Sequence, residues 1–219
     1  MHHYMVELIL RERWVWVIGG GTVATRKIRG LLDTGARLHV MAPEVSPDII
    51  AWEGQGRLDV RKTEFQEGCL DRVDRPLLVF AATGSAPMNQ EIARICRRLG
   101  VLCNSADDPG VSDFLVPAVV RRGALTVAVG TEGASPALSR LIKERIDRWL
   151  EPGWQGLVAL FGQMRSEVAH RLPDPLTRQA FWRNIALQAE KEECHRLADP
   201  RQWFRRRLDQ VAGTDNDTE

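Results

Sequence analysis

Trp14-Val15-Trp16-Val17-Ile18-Gly19-Gly20-Gly21-Thr22-Val23-Ala24 carries an apolar, strand-like run into a glycine cluster and then into helical periodicity. A buried strand, a tight turn and the start of a helix follow from that order, which is the opening of a dinucleotide-binding unit. Gly19 suits the turn, Gly21 lets a pyrophosphate approach the backbone, and Ala24 is small enough for the helix to lie close to the strand. The pattern is G-x-G-x-x-A, and the first N–H groups of the helix would face the phosphates.

Arg37-Leu38-His39-Val40-Met41-Ala42 returns at the distance that a βαβ unit requires, closed by Pro43-Glu44. Glu44 stands roughly 20 residues beyond the glycines, where an acid accepts the ribose hydroxyls and favours NAD over NADP. A solvated loop carboxylate fits the same position, and the sequence leaves both readings open. Further strand-like runs lie at 58–62, 77–82 and 101–103, with amphipathic stretches between them. Five strands with helical crossovers predict an α/β fold, a Rossmann-type doubly wound parallel sheet. Ligands of such sheets bind beyond the carboxyl ends of the strands. Four of those ends carry Gly19-Gly20-Gly21, Ala42-Pro43-Glu44, Ala82-Thr83-Gly84 and Asn104-Ser105-Ala106-Asp107, and they should converge on one crevice.

After Asp113 the pattern changes. Phe114–Val120 and Leu125–Val129 are β-rich runs separated by Arg121-Arg122-Gly123, and a helix begins at Ser135-Pro136 with serine as its cap. Two strands and one helix cannot bury a core alone, so this small α+β region is expected to pair with a second copy in a homodimer. Beyond Glu151-Pro152-Gly153 the chain reads as helical to about Val211. Its stripes, Leu157, Leu160, Phe161 and Met164, then Phe181, Trp182, Ile185 and Leu187, read as packing faces. The expected division is a dinucleotide-binding domain over 1–113, a dimerisation region over 114–150, a helical C-terminal region over 151–212 and a polar, frayed tail over 213–219.

The 219 residues include 30 Lys and Arg against 29 Asp and Glu, a balance that calls for neither nucleic acid nor an anionic membrane. The apolar runs are strand-sized and the first residues form no signal-peptide pattern, so a cytoplasmic protein is expected. Cys69, Cys96, Cys103 and Cys194 form no Cys-x-x-Cys pair, and the five histidines share no ligand spacing. Idle or buried thiols, with no metal site, follow. Arg205-Arg206-Arg207 reads as a solvated helix face.

Val17–Ala24, Arg26-Lys27, Leu31-Leu32, Gly35-Ala36, Ala42-Pro43, Ala81-Ala82-Thr83, Asn89, Cys103-Asn104, Asp107, Phe114, Pro117 and Ser135-Pro136 together resemble the siroheme synthase family. More narrowly, they are similar to its precorrin-2 dehydrogenase module, in the form without a methyltransferase domain. The resemblance spans about residues 3–150, and the helical remainder resembles the family's variable extension. It implies oxidation of precorrin-2 to sirohydrochlorin with NAD as hydride acceptor. The alternative is a non-enzymatic module that senses NAD and passes a rearrangement to a partner.

Asp107 matches the family's catalytic aspartate. Its place after the fifth strand also suits a residue facing the crevice, although by itself it reads equally as a turn aspartate before Pro109-Gly110, with Asp108 as its neighbouring rival. The resemblance assigns cofactor contacts to Gly19, Gly21, Thr22, Val23, Pro43 and Glu44, with Thr83 and Gly84 near the middle of the dinucleotide. Asn104 is a substrate contact or a residue fixing its own loop. A polycarboxylate macrocycle requires cations and helix amides, for which Arg26, Lys27, Arg121, Arg122, Arg140, Lys143 and the helix start at Ser135 are candidates. Thr131 stands where the family can place a serine linked to metal insertion, and Glu132 adds a carboxylate beside it. This departure leaves ferrochelatase activity, with ferrous iron as a second substrate, open.

Overall fold

The computed structural model describes residues 2–70 and 75–214, which divide into two compact units, one up to Val116 and one from Pro117. In the first unit, strands β1 (Trp14–Ile18), β2 (Arg37–Met41), β3 (Asp59–Arg61), β4 (Leu78–Ala81) and β5 (Leu102–Ser105) form one sheet. All four pairings are parallel and the order is β3-β2-β1-β4-β5. The winding therefore reverses between β1 and β4, and a ligand crevice opens at that switch point.

The central strands β1 and β4 are apolar along their length because both faces of the sheet are covered there, whereas edge strand β3, Asp59-Val60-Arg61, is largely exposed. Val15 and Val17 point into one core with Ala24, Ile28, Val40 and Phe80. Trp16 and Ile18 point into the other with Met41, Val79, Ile92 and Cys96. Helix α1 (Thr22–Arg29) buries Ala24, Thr25 and Ile28. Helix α2 (Pro47–Gly54) follows β2. Helix α3 (Ala86–Leu99) is capped by Ser85, whose Oγ accepts from Met88 N at 3.4 Å, and ends at Gly100 in the left-handed region at φ +70°.

In the second unit, β6 (Ala118–Arg122) and β7 (Leu125–Val129) form an antiparallel hairpin, followed by α4 (Pro136–Trp149). The strand expected from Phe114 starts only at Ala118. Phe114 instead packs edge-on against Phe80 at 5.4 Å and joins the core of the first unit. Among hairpin and α4 residues only Val120 and Ser139 are fully buried, and Leu138, Leu141 and Trp149 stay exposed.

Helices α5 (Gly153–Arg171), α6 (Pro175–Lys191) and α7 (Pro200–Thr214) enclose a separate core around Leu160, Met164, Phe181, Ile185 and Phe204. Leu187, expected on the packing stripe, is 60% exposed, because the face of α6 that meets the core runs through Phe181, Ile185 and Ala189. The frayed tail expected from Gly213 begins no earlier than the end of α7 at Thr214, and residues 215–219 lie outside the described ones. Arg207 is held by Glu192 at 2.6 Å and lies over the Trp203 ring, so the arginine run is partly a packing element. Among the described residues no helix is long and apolar enough to cross a membrane, and no group of three or more His, Cys, Asp or Glu could hold a metal ion. All four cysteines are free and buried.

Candidate functional site

The three glycines after β1 are required for different reasons. Gly19 sits at φ +125°, its N–H donates to Met41 O at 2.9 Å, and a Cβ there would lie 2.1 Å from Ala82 O. A Cβ on Gly20 would lie 2.0 Å from Glu44 O. Both positions are closed to side chains by the ends of β2 and β4. Gly21 has no atom within 4 Å of the place a Cβ would take, so its surroundings are open. It is also the N-cap of α1, and among the described residues no side chain caps that helix. Its first amides are therefore available to an anion.

These turns border a groove of about 720 Å³ at the carboxyl end of the sheet. Gly19, Gly21, Thr22, Val23, Pro43, Glu44, Thr83 and Gly84, the eight expected cofactor residues, all line it. The size and the apolar lining suit a dinucleotide half held along its length. Gly20, expected at the crevice with its strand end though not as a cofactor contact, lines it too, and so do Glu64, Phe65, Ser85 and Met88, which were not foreseen. Glu64 and Phe65 follow β3, a short, polar strand whose carboxyl end carries no glycine or proline to mark it. Met88 lies in the first turn of α3, where a lone apolar residue reads as core.

Asp107 lies in the turn after β5 and is exposed. Ser105 Oγ donates to its Oδ1 at 2.6 Å, and Asn89 Nδ2 donates to the same oxygen at 3.1 Å. The Ser105 hydroxyl, and after it the Asn89 amide, hold the carboxyl below its ordinary value despite some desolvation. With both bonds on Oδ1, Oδ2 has no side-chain donor among the described residues. Asp108 takes the turn role instead, accepting from Gly110 N at 2.8 Å as the cap of the short 3₁₀ turn Pro109–Val111. The two adjacent aspartates are thus separated by function: one builds the loop and one is displayed by it.

Asn89 connects this carboxylate to the groove. Its Oδ1 accepts from Thr83 N at 3.0 Å and from Thr83 Oγ1 at 2.7 Å. Asn104 is buried as well, with Nδ2 donating to Phe114 O and Oδ1 accepting from Lys27 Nζ, both at 2.9 Å. These bonds fix the loop after β5 to Phe114 and to α1. Burial, and after it the charge of Arg26, push the Lys27 ammonium below its ordinary value.

The remaining candidates belong to the second unit. Thr131 Oγ1 accepts from Ser135 N at 3.1 Å and lies 3.1 Å from Ser139 Oγ, while Ser135 Oγ accepts from Leu138 N to cap α4. Both hydroxyls thus build the turn, which passes through left-handed Glu132 and Gly133. Arg122 donates to Leu150 O and Asp147 O, each at 2.8 Å, and pairs with Asp147 Oδ1 at 3.0 Å, so its charge closes the end of α4. Arg121 meets Thr126 Oγ1 at 3.4 Å, and Arg140 stands exposed on α4.

Three family models match the chain in succession: "Putative NAD(P)-binding" over residues 6–118, "Sirohaem biosynthesis protein central" over 122–148 and "Sirohaem synthase dimerisation region" over 153–208. The dimerisation model thus falls on α5 to α7, and the central one on the hairpin and α4. The siroheme synthase of Pseudomonas paraeruginosa (strain DSM 24068 / PA7) is 34% identical over 202 residues, 88% of this chain and 42% of that protein. That of Escherichia coli O139:H28 (strain E24377A / ETEC) is 36% identical over 186 residues, 84% of this chain and 40% of that protein. The chain therefore spans about two fifths of the length of these curated relatives. Among solved structures, one described as SirC, precorrin-2 dehydrogenase, superposes with a TM-score of 0.72 at 27% identity, over 95% of this chain and 100% of that one.

Proposed function

The chain belongs to the siroheme synthase family, and from that membership we propose that it oxidises precorrin-2 to sirohydrochlorin with NAD. The observation that carries this reading is the hydrogen-bonded carboxylate of Asp107, joined through Asn89 to the wall of a glycine-lined groove.

The groove fits the cofactor: Gly21 is open to a phosphate, the α1 amides are uncapped, and Thr83 and Gly84 stand on the β4 side of the switch point. Bound there, NAD would supply a two-electron acceptor for a substrate hydrogen leaving as hydride. A second hydrogen must leave as a proton for the charge to balance. Asp107 is suited to receive it, because Oδ1 is anchored by two donors and Oδ2 is free of side-chain donors among the described residues. The Ser105 and Asn89 bonds favour the ionised form, the one that can take a proton, at the cost of some basicity. Arg26, Arg121, Arg140 and Lys143 remain as cations for substrate carboxylates, of which we assign Arg121 and Arg140, since Arg122 is committed to α4 and Lys27 to Asn104.

We also read the protein as a homodimer. The exposed Leu138, Leu141 and Trp149 on α4 and the dimerisation model over 153–208 support that state. The test of the activity is anaerobic incubation with precorrin-2 and NAD+, following sirohydrochlorin absorbance. NAD-dependent formation above the protein-free rate is expected; its absence would sink the proposal. Ferrous iron added afterwards reads the second step, and enzyme-dependent siroheme would extend the activity to metal insertion.

A further inference from the structure

We propose that Asn89 is a positioning residue, one buried amide that fixes both the Asp107 carboxylate and the Thr83 wall of the groove. The inference rests on the dehydrogenase reading and deepens it, because it names what joins the proton acceptor to the cofactor side of the site.

Asn89 lies in the first turn of α3 and is 1% exposed. A buried primary amide offers one acceptor oxygen and two donor hydrogens, all of which need partners. Here the oxygen receives the Thr83 N–H at 3.0 Å and the Thr83 hydroxyl at 2.7 Å. The nitrogen gives one hydrogen to Asp107 Oδ1 at 3.1 Å and lies 3.4 Å from Thr83 O. No amide valence is left for structural use elsewhere.

This arrangement has only one polarity. Turning the amide over would set its NH₂ group against the Thr83 N–H and its oxygen against a carboxylate, two repulsive contacts in a buried place. Thr83 therefore dictates which way the amide points, and the amide in turn presents a donor to Asp107. Thr83 also lines the groove and follows β4, as Asp107 follows β5. Asn89 thus ties the ends of two adjacent strands through a helix that packs on both. Ser105, the other donor to Asp107, has no bond to Thr83, so only the Asn89 contact links carboxylate and groove among the hydrogen bonds of the described residues.

Two substitutions separate the two halves of the amide. Asn89→Asp keeps an oxygen for Thr83 but turns a second carboxylate oxygen toward Asp107. Asn89→Leu removes both halves. The measurements are NADH binding by fluorescence, ¹³C-carboxyl NMR titration of the aspartates, and the pH profile of kcat/KM. For Asn89→Asp, NADH affinity should stay within about threefold of wild type, because the Thr83 bonds survive. The carboxyl pair should then titrate roughly one unit or more above wild-type Asp107, with the acid limb of kcat/KM moving up alongside it. Asn89→Leu should weaken NADH by about tenfold as well.

A titration of Asp107 that is the same in wild type and Asn89→Asp would overturn the proposal, as would unchanged NADH binding in a folded Asn89→Leu protein. Should Asn89→Leu fail to fold, as judged by circular dichroism, Asn89→Asp decides alone. Failure of the wild-type protein to bind NADH would remove the dehydrogenase reading and this inference together, whereas normal binding with unmoved titrations would remove only the inference.

Discussion

Ser105 Oγ and Asp107 Oδ1 are 2.6 Å apart, the shortest contact to the carboxylate in the candidate site, and they come from the same strand end two residues apart. The carboxylate is therefore set mainly by the local course of β5 and only secondarily by α3.

This bond sets the pH response. The folded carboxyl lies below its ordinary 3.8, with Ser105 as the first cause. Its stabilising contribution is complete above that value and is lost as pH falls through the lower folded value. Ser105→Ala should move the acid limb of kcat/KM upward while NADH affinity is kept. Asp107→Asn should lower kcat by about a hundredfold or more with NADH binding preserved. Fluorescence titration and steady-state rates across pH check both.

The glycines should fail in different ways. Gly19→Ala combines a Cβ 2.1 Å from Ala82 O with φ +125°, and Gly20→Ala would strike Glu44 O at 2.0 Å. Positive φ alone costs on the order of 1–3 kcal/mol, so Gly19→Ala should lower the thermal midpoint sharply or prevent folding. Gly21→Ala has room and should leave the midpoint within a few degrees while weakening NADH by about tenfold, through loss of close backbone approach to the phosphates. A melting curve and a binding curve for each variant separate the two outcomes.

Two arginines of the second unit should divide between stability and binding. Arg122→Ala removes hydrogen bonds of 2.8 Å to Leu150 O and Asp147 O together with the Asp147 ion pair. A cost of about 1.5–3 kcal/mol is expected, seen in denaturant unfolding. Arg140→Ala should leave unfolding unchanged and raise the KM for the tetrapyrrole, as expected for an exposed cation on a polycarboxylate.

The face of α4 tests the dimer. Leu138 is 47% exposed and Leu141 44% exposed, one turn apart on the same helix. A Leu138→Glu, Leu141→Glu double variant should sediment as a monomer in analytical ultracentrifugation. Retention of the wild-type sedimentation coefficient would place the pairing surface elsewhere, on α5 to α7 where the dimerisation model falls.

The first strand, turn and helix were legible because three local signals agree there: a run buried on both faces, a glycine turn, and helical periodicity. The eight positions that the resemblance assigned to the cofactor lie in or beside strand-end turns, which the topology gathers at one edge, and all of them line the groove. Gly20 was named with its strand end, but its need to be glycine escaped because that need arises from Glu44 O, an atom brought near only by folding. Asn89 was visible as part of a resemblance but not as a functional group, since a polar residue on an amphipathic helix ordinarily faces water and this one is buried against two strand ends. Phe114 misled for the opposite reason. An apolar run predicts burial, yet it does not say in which core the burial takes place.

The hydroxyls of Thr25 and Ser46, 2.8 Å apart, and the Lys27 bond to Asn104 at 2.9 Å fasten α1 to the loop after β2 on one side and to β5 on the other. A helix staked at both flanks cannot tilt when a phosphate arrives at its first turn. The cradle is therefore shaped before anything enters it, and association should proceed without a slow ordering step: a single fast phase in stopped-flow mixing with NADH, linear in ligand concentration and free of a plateau.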